Sequence, residues 1–391
     1  MKVGVFFVLT IICIGVQSVN LNEGGSINDL FVTDGDSDHE SMQYSKVKKA
    51  MQVEPDFARR LFQVVEEKLQ VRLDELSIHG NSIIPTVTMK AIEENGHRLP
   101  DDVAMKVKKH GVLVVRNTLP EEEVQQLMDD LHNYLLINNI DTATYNETVY
   151  EIYWSQSQLR ARQHHNMYMV QDALLKLWTL QVPNLNCSQI SPAMYIDRLR
   201  IRKPGDTSFT LPFHIDGGGI ERWSDPVYRK VYEQIFKGNL DAYDPFAMDY
   251  RIQAAMNEEG HANGCTFFRE ATWYWMLRPF LQDVPDQVMP GCQPGKTFHV
   301  SERWHPKLQG LVSLPNIEMG DSVWWHADLI HSVESEHKGQ DPSSVFYIPT
   351  GPKCGVNMDY LARMRSKFLS GETPPDFPST TTKSNLLIAL L

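Results

Sequence analysis

The sequence predicts an α+β fold in which N-terminal helices precede a mainly β core. Residues 46–76 are rich in helix formers, and apolar residues such as Phe57, Leu61 and Val65 recur there at helical spacing. Residues 194–202 (MYIDRLRIR) instead alternate in character, which is typical of a strand. Further strands are predicted at 249–257, 272–277, 311–314, 321–325 and 344–348.

A helix–strand–helix unit is predicted to open the main domain. Residues 101–111 (DDVAMKVKKHG) favour a helix that ends at Gly111, and VLVV (112–115) favours a strand. The helix that follows has Thr118 as its candidate cap, and Pro120 stands early, where its missing N–H does no harm. A further helical stretch is predicted around 158–179.

The first residues, MKVGVFFVLTIICIGVQSVN, have the pattern of a secretory signal peptide. A lysine precedes an apolar run, and small or polar residues follow it, so cleavage is expected after Ser18. The alternative is an N-terminal membrane anchor, but the run is shorter than the roughly 20 apolar residues that span a bilayer. We therefore expect a protein of the secretory pathway lumen or the extracellular space, without a stable membrane anchor.

Composition excludes one class of partner. The formal net charge is −12, and the basic clusters are short, whereas phosphate binding needs a concentrated basic surface. A nucleic-acid partner is therefore not expected. The sequence does not indicate the oligomeric state.

Export changes the interpretation of the cysteines and of two sequons. Cys13 lies in the signal peptide, and the remaining cysteines are Cys187, Cys265, Cys292 and Cys354. An oxidising compartment permits two disulfides among them, and buried free thiols are the alternative. Asn146 and Asn186 begin Asn-x-Ser/Thr triplets and are candidate glycosylation sites.

The stretch LPFHIDGGGIERW (211–223) holds a candidate metal site. His214 and Asp216 stand two apart, so in a strand their side chains share one face and can bind one cation. The glycines that follow let the backbone turn and leave space beside the pair. Such a pair is common by chance, so a third ligand is required from elsewhere.

The third ligand is sought in MGDSVWWHADLIHSVE (319–334), where a Gly-Asp turn and a short strand lead to His326 and His331. Two histidines and one carboxylate, with the opposite face open, suit non-haem Fe(II), whereas a closed shell of four ligands suits structural zinc. Histidines satisfied within the core are the alternative to a metal site.

These two motifs together resemble the iron- and 2-oxoglutarate-dependent oxygenase superfamily. Members carry the distal histidine about ten residues after the Gly-Asp turn, which corresponds to His331, and His326 is expected to be a wall residue. DRLRIRKPGD, DGGGIERWSDPVYRKVY, DAYDPF, LRPF and SVFYIPTGPKC further resemble one branch of that superfamily whose function is unknown.

The resemblance implies a double-stranded β-helix, the cupin-like jelly roll, over residues 100–370. Residues 19–99 are then a leader with an N-terminal helical segment, and 371–391 are a flexible tail. It also implies that His214, Asp216 and His331 hold Fe(II), that 2-oxoglutarate is decarboxylated to succinate, and that a substrate of unknown identity is hydroxylated.

The carboxylate of 2-oxoglutarate needs a basic partner, preferably an arginine. Many relatives place it about ten residues beyond the distal histidine, but Asp341 occupies that position here. Some other members of the superfamily anchor this carboxylate from the strand that follows the His-x-Asp pair, so we select Arg251, in the predicted strand 249–257, with Arg200 as the second candidate. A solvated strand face is the alternative for the alternating arginines at 198, 200 and 202. The aromatic residues Trp223, Trp325 and Tyr347 are candidates to line the pocket; large aromatic residues more often belong to the core, so none of them is given a catalytic role.

Two other functions remain open on sequence grounds. The missing arginine after His331 motivates a secreted binding protein on the same fold that does not turn over a substrate. A hydrolase that uses a zinc-bound water is the third hypothesis.

Overall fold

The computed structural model describes residues 5–9, 40–140, 148–180, 191–208, 210–216, 221–251, 269–293, 297–310, 312–326 and 328–375. The helices within these ranges are α1 (Met42–Met51), α2 (Pro55–His79), α3 (Met89–Glu94), α4 (Asp101–His110), α5 (Glu121–Ile137), α6 (Gln156–Gln163), α7 (His165–Leu175), α8 (Glu221–Ser224), α9 (Pro226–Lys230), α10 (Glu233–Phe236), α11 (Arg269–Leu277) and α12 (Gly355–Ser370). None of the helices in these ranges is long and apolar enough to cross a membrane.

The strands are β1 (Val5–Leu9), β2 (Thr86–Thr88), β3 (Val112–Arg116), β4 (Val149–Tyr150), β5 (Pro192–Met194), β6 (Leu199–Arg202), β7 (Leu211–Ile215), β8 (Phe298–His299), β9 (Ser322–Trp325), β10 (His331–Val333), β11 (Ser343–Tyr347) and β12 (Thr350–Pro352). They form a seven-stranded sheet in the order β2-β3-β9-β1-β11-β6-β4, a three-stranded sheet β10-β7-β8 and a pair β12-β5. The fold is therefore mixed α/β, and the sheets do not close into a barrel within the described ranges.

Strand β1 belongs to the segment predicted as a signal peptide. It pairs in parallel with β11 on one side and with β9 on the other. Cleavage after Ser18 would therefore remove one strand from the seven-stranded sheet.

The helix–strand–helix unit predicted from the sequence is confirmed. Gly111 ends α4 in the left-handed conformation, with φ of 69°, and β3 follows it directly. Thr118 does not cap α5, which begins after Pro120. The Thr118 hydroxyl is buried and donates instead to the carbonyl of Val115, 3.1 Å away, so tertiary contacts override its capping propensity.

The predicted N-terminal helix is two helices. Gln52 ends α1 with φ of 52°, and Pro55 begins α2 after it. Proline is favoured in the first turn of a helix and cannot continue a preceding one, so the break follows from the sequence.

Several strand predictions were wrong in position or type. The strand predicted at 272–277 is part of helix α11, in which Ala271 to Leu277 are all buried. A short run that is buried on every side shows no periodicity that would distinguish a strand from a helix. Residues 249–251 are helical rather than extended, and the rest of the predicted strand 249–257 lies outside the described residues. Residues 312–314 are irregular. The strands predicted at 321–325 and 344–348 are confirmed as β9 and β11.

Two apolar clusters hold the helices against the two larger sheets. One cluster joins helices α3 to α7 to the seven-stranded sheet through residues such as Leu113, Trp324 and Phe346. The other joins α1, α2 and α11 to the three-stranded sheet through Ile215 and Phe298. Because side chains alternate along a strand, Ile215 packs into this second cluster while His214 points to the opposite face.

Some predicted features lie outside the described residues. These are Asn146, Asn186, Cys187, Cys265 and the tail from 376 onwards. Cys354 is a buried free thiol, which favours the free-thiol alternative for that residue.

Candidate metal centre

His214, Asp216 and His331 converge, as the sequence predicted. His214 on β7 stands opposite His331 on β10 in an antiparallel pair, so the two imidazoles share one face, with ring centroids 4.3 Å apart. Asp216 follows β7 and lies between them. One potential ligand atom from each residue falls within 4.8 Å of the others.

The hydrogen bonds prepare both imidazoles for a metal ion. Nδ1 of His214 lies 2.7 Å from the carbonyl oxygen of Pro212, and Nδ1 of His331 lies 2.8 Å from that of Leu329. A carbonyl can only accept, so Nδ1 carries the proton in each ring. The lone pair of each neutral imidazole is therefore on Nε2, the atom that faces Asp216 at 3.5 Å for His214 and 3.3 Å for His331.

Burial and mutual charge interactions shift the pKa values of Asp216, His214 and His331. Burial alone would raise the pKa of Asp216, but His331 and His214 outweigh it and hold that pKa well below its ordinary value. Burial, reinforced by His331, lowers the pKa of His214. For His331 burial opposes the charged form, yet Asp216 more than offsets it and raises the pKa of His331. The carboxylate is thus ionised, and His214 presents a neutral nitrogen.

Trp325, a candidate pocket-lining residue on sequence grounds, lies in the site and contacts two members of the triad. Its indole Nε1–H donates to Oδ2 of Asp216 at 3.2 Å, and its ring lies 5.1 Å from that of His331. The sequence carried one signal: Trp325 ends the strand just before the segment that bears both histidines. Trp223, by contrast, is a fully buried core residue beside Tyr228 and Tyr232.

His326 does not join the group, as predicted. Its ring stacks on Trp178 with centroids 4.6 Å apart and meets Phe246 edge-on. Burial, and then the charge of Arg251, lower its pKa well below the ordinary value, so it stays neutral. These residues line a small apolar cavity of about 20 Å³.

The two candidate arginines lie in different settings. Arg251 is buried in an ion pair with Asp328, with Nη2 3.2 Å from Oδ2. Arg200 lies on β6, opposite Val345 of β11, with its guanidinium carbon 5.9 Å from the ring centre of Tyr347. Burial raises the pKa of Tyr347, although the charge of Arg200 opposes this.

A family model described as Gig2-like matches residues 39–271 and 268–387. The chain belongs to the Gig2-like family. It is 31% identical to the uncharacterised protein YbiU of Escherichia coli K12 in an alignment that covers 87% of this chain and 90% of YbiU. The match confirms the resemblance of the sequence to a family of unknown function.

Solved structures of similar proteins share the architecture. The crystal structure of the hypothetical protein JW0805 of Escherichia coli matches with a TM-score of 0.77 and 30% identity, covering 91% of this chain and 95% of that one. A protein of Salmonella typhimurium LT2 carries the provisional description oxidoreductase. Its crystal structure matches with a TM-score of 0.73 and 27% identity, covering 89% of this chain and 94% of that one. Gig2 (DUF1479) of Candida albicans matches with a TM-score of 0.76 at 24% identity, over 90% and 85% of the chains, and shows the fold alone.

We expect Trp325→Phe to weaken metal binding by about 10-fold, within the range observed when an outer partner of a metal ligand is removed. The substitution keeps an aromatic ring beside His331 but removes the donor that orients Asp216. Calorimetric titration with Co²⁺ measures the change.

Trp154→Phe is the matched control for this titration. Trp154 also loses a single indole hydrogen bond, to the carbonyl of Glu372 at 2.9 Å, beside the C-terminal helix. Equal Co²⁺ affinities in the two variants would show that the Trp325 hydrogen bond does not orient the carboxylate.

Proposed function

We propose that this Gig2-like protein is an Fe(II)- and 2-oxoglutarate-dependent oxygenase that hydroxylates a substrate in the secretory pathway or outside the cell. The observation that carries the proposal is the convergence of His214, Asp216 and His331 on one face of the three-stranded sheet. Two imidazoles and one carboxylate, with open positions opposite, form the donor set typical of non-haem Fe(II) oxygenases.

The residues present fit a resident iron ion. Both Nε2 atoms and the Asp216 carboxylate face one point, and main-chain carbonyls hold both Nδ1 protons away from it. Within the described ranges no fourth His, Cys, Asp or Glu joins the group, which disfavours a closed structural zinc site. His214, Asp216 and His331 would therefore hold the ion, and Trp325 would orient the carboxylate.

The distribution of strands supports a double-stranded β-helix core. From β6 onwards the chain passes from the seven-stranded sheet to the three-stranded sheet at β7 and β8, returns at β9, crosses again at β10 and returns at β11. This alternation between two sheets is the arrangement expected of a jelly roll whose strands wind around one interior. The triad lies where β7 and β10 are neighbours.

Bound Fe(II) with 2-oxoglutarate and O₂ supplies the oxidising chemistry, in which 2-oxoglutarate yields succinate and CO₂ and one oxygen atom enters a substrate C–H bond. The protein's part is to hold and orient the reactants. Arg200, whose guanidinium carbon lies 5.9 Å from the ring centre of Tyr347, would bind the distal carboxylate together with the Tyr347 hydroxyl, because a guanidinium and a phenol both donate to carboxylates. The provisional description of the Salmonella relative as an oxidoreductase agrees with this reaction class.

Succinate formation tests the proposal. The purified chain, supplied with Fe(II), ascorbate and 2-oxoglutarate under air, is expected to form succinate, and omission of Fe(II) should stop it. Uncoupled turnover without substrate is slow in such a reaction, so long incubations and mass spectrometry are required. Absence of succinate in the iron-loaded protein, including with pooled candidate substrates, would contradict the oxygenase assignment.

A secreted binding protein on the same fold is the second candidate. It is favoured by the ion pair of Arg251 with Asp328, which occupies the arginine first expected to anchor 2-oxoglutarate. Calorimetry separates the two candidates: a metal-loaded chain with no affinity for 2-oxoglutarate supports the binding protein. Processing after Ser18, determined by mass spectrometry of the mature N-terminus, tests the proposed secretory location.

A further inference from the structure

We infer that Arg251 and Asp328 form a buried charge pair that positions the metal ligand His331, so that Arg251 is a positioning residue rather than a co-substrate anchor. The inference rests on the metal site of the proposed function, but it does not require that 2-oxoglutarate be turned over.

The pair is almost completely withdrawn from water. The Arg251 side chain is 6% exposed and that of Asp328 is 1% exposed, with Nη2 3.2 Å from Oδ2. Arg251 also donates to the carbonyl of Pro245 at 3.3 Å, and the hydroxyl of Tyr232 donates to Oδ2 of Asp328 at 3.3 Å. The guanidinium carbon lies 5.9 Å from the ring centre of Trp178 and 5.8 Å from that of Tyr232, so aromatic rings restrict its position.

A short chain of contacts joins this pair to the metal ligand. Asp328 lies in the segment between β9 and β10, and its backbone N–H donates to Nδ1 of His326 at 3.4 Å. The next residue, Leu329, donates its N–H to the carbonyl of His326 at 2.8 Å. The carbonyl of Leu329 then accepts the Nδ1 proton of His331 at 2.8 Å. Holding Asp328 therefore holds the carbonyl that sets the tautomer and orientation of the His331 ring.

Stability alone does not explain such a pair. A buried ion pair adds little or no net stability compared with apolar residues of similar volume, because both charges lose their hydration. A positional role explains it better, since this pair fixes the segment that carries His331. Groups that hydrogen-bond to metal ligands commonly fix the orientation of those ligands. Removing one typically weakens metal binding by about 10- to 100-fold.

Arg251→Met is the first test, with two measurements. In the metal-free protein, amide hydrogen exchange across residues 328–333 is expected to become faster, because the carboxylate of Asp328 loses its charged partner. In the metal titration, Co²⁺ affinity is expected to fall by about 10- to 100-fold, with a changed visible spectrum that reports a displaced ligand.

Arg278→Met is the matched control. Arg278 is 9% exposed and, like Arg251, it binds one carboxylate, one main-chain carbonyl and a tryptophan face, here Asp283, the carbonyl of Trp304 and the Trp304 ring. We expect this variant to be destabilised but to keep the wild-type Co²⁺ spectrum and the wild-type exchange rate across 328–333.

The double variant Arg251→Met/Asp328→Asn separates positioning from stability. Removing both charges should restore much of the resistance to denaturant, whereas Co²⁺ affinity should stay low if the pair positions His331. Recovery of metal affinity together with stability would overturn the inference.

Three further results would also overturn it. They are an unchanged exchange rate in Arg251→Met, a faster exchange rate with wild-type Co²⁺ affinity, and a loss of 2-oxoglutarate affinity with metal binding intact, which would restore Arg251 as the anchor. Failure of succinate formation alongside the expected Co²⁺ results would instead refute the oxygenase reaction and leave the positioning role supported.

Discussion

Asp216→Ala is expected to abolish specific metal binding and, with it, iron-dependent succinate formation. Asp216 supplies the one negative charge of the triad, and its two oxygens face Nε2 of His214 and Nε2 of His331. Without it the two imidazoles offer a neutral pair of donors. We expect the Co²⁺ affinity to fall by more than about 100-fold, beyond the effect of losing an outer-shell partner. Calorimetry and metal analysis after dialysis measure the loss.

Asp102→Ala is the control for this prediction. Asp102 lies on α4 in an exposed ion pair with Lys106, so the same change of side chain there should leave metal binding intact. Stoichiometric, wild-type binding of Co²⁺ by Asp216→Ala would refute the metal centre itself. Retained folding of the variant, checked by circular dichroism, excludes unfolding as the cause of a loss.

Gly320→Ala is expected to destabilise the fold by about 3 kcal/mol or more. Gly320 has φ of +88°, a conformation that costs an L-residue roughly 1–2 kcal/mol. A Cβ there would also lie 2.3 Å from the carbonyl oxygen of Leu119, and relieving such overpacking costs about 1–3 kcal/mol. Because β9 begins two residues later, the shift would reach the strand that carries Trp325.

Urea unfolding measures this effect. We expect a lower midpoint urea concentration and an unchanged dependence of the unfolding free energy on urea concentration. Gly310→Ala is the comparison, since Gly310 does not have a positive φ and an added Cβ there would meet no other atom within 4 Å. That variant should stay within about 0.5 kcal/mol of wild type, as most surface substitutions do. A Gly320→Ala midpoint equal to that of Gly310→Ala would show that the turn before β9 relaxes without strain.

The part of the site that follows a local rule could be predicted from the sequence. His214 and Asp216 share a face because they stand two apart at the end of a strand, and β7 is that strand. The third member required a long-range pairing, His331 opposite His214, which no local pattern specifies and which only the family resemblance indicated.

Arg251 shows why the rest could not be predicted. It was placed in the strand expected to follow the His-x-Asp pair in the resembling superfamily, whereas residues 249–251 are helical. Its partner Asp328 lies 77 residues away along the chain, and their contact depends on how the helical residues 249–251 and the segment after β9 pack together. The same limit explains α11, whose aromatic residues favour strands intrinsically but are buried on all sides as a helix.

The ligands of the proposed metal ion belong to parts of the chain more than a hundred residues apart, Asp216 at the end of β7 and His331 at the start of β10. A bound ion would therefore act as a reversible cross-link that only the folded state can form. At a free metal concentration 100 times the dissociation constant, such linkage adds about 2.7 kcal/mol to the resistance against unfolding. Metal supply would then govern how long each molecule survives proteases as well as whether it reacts.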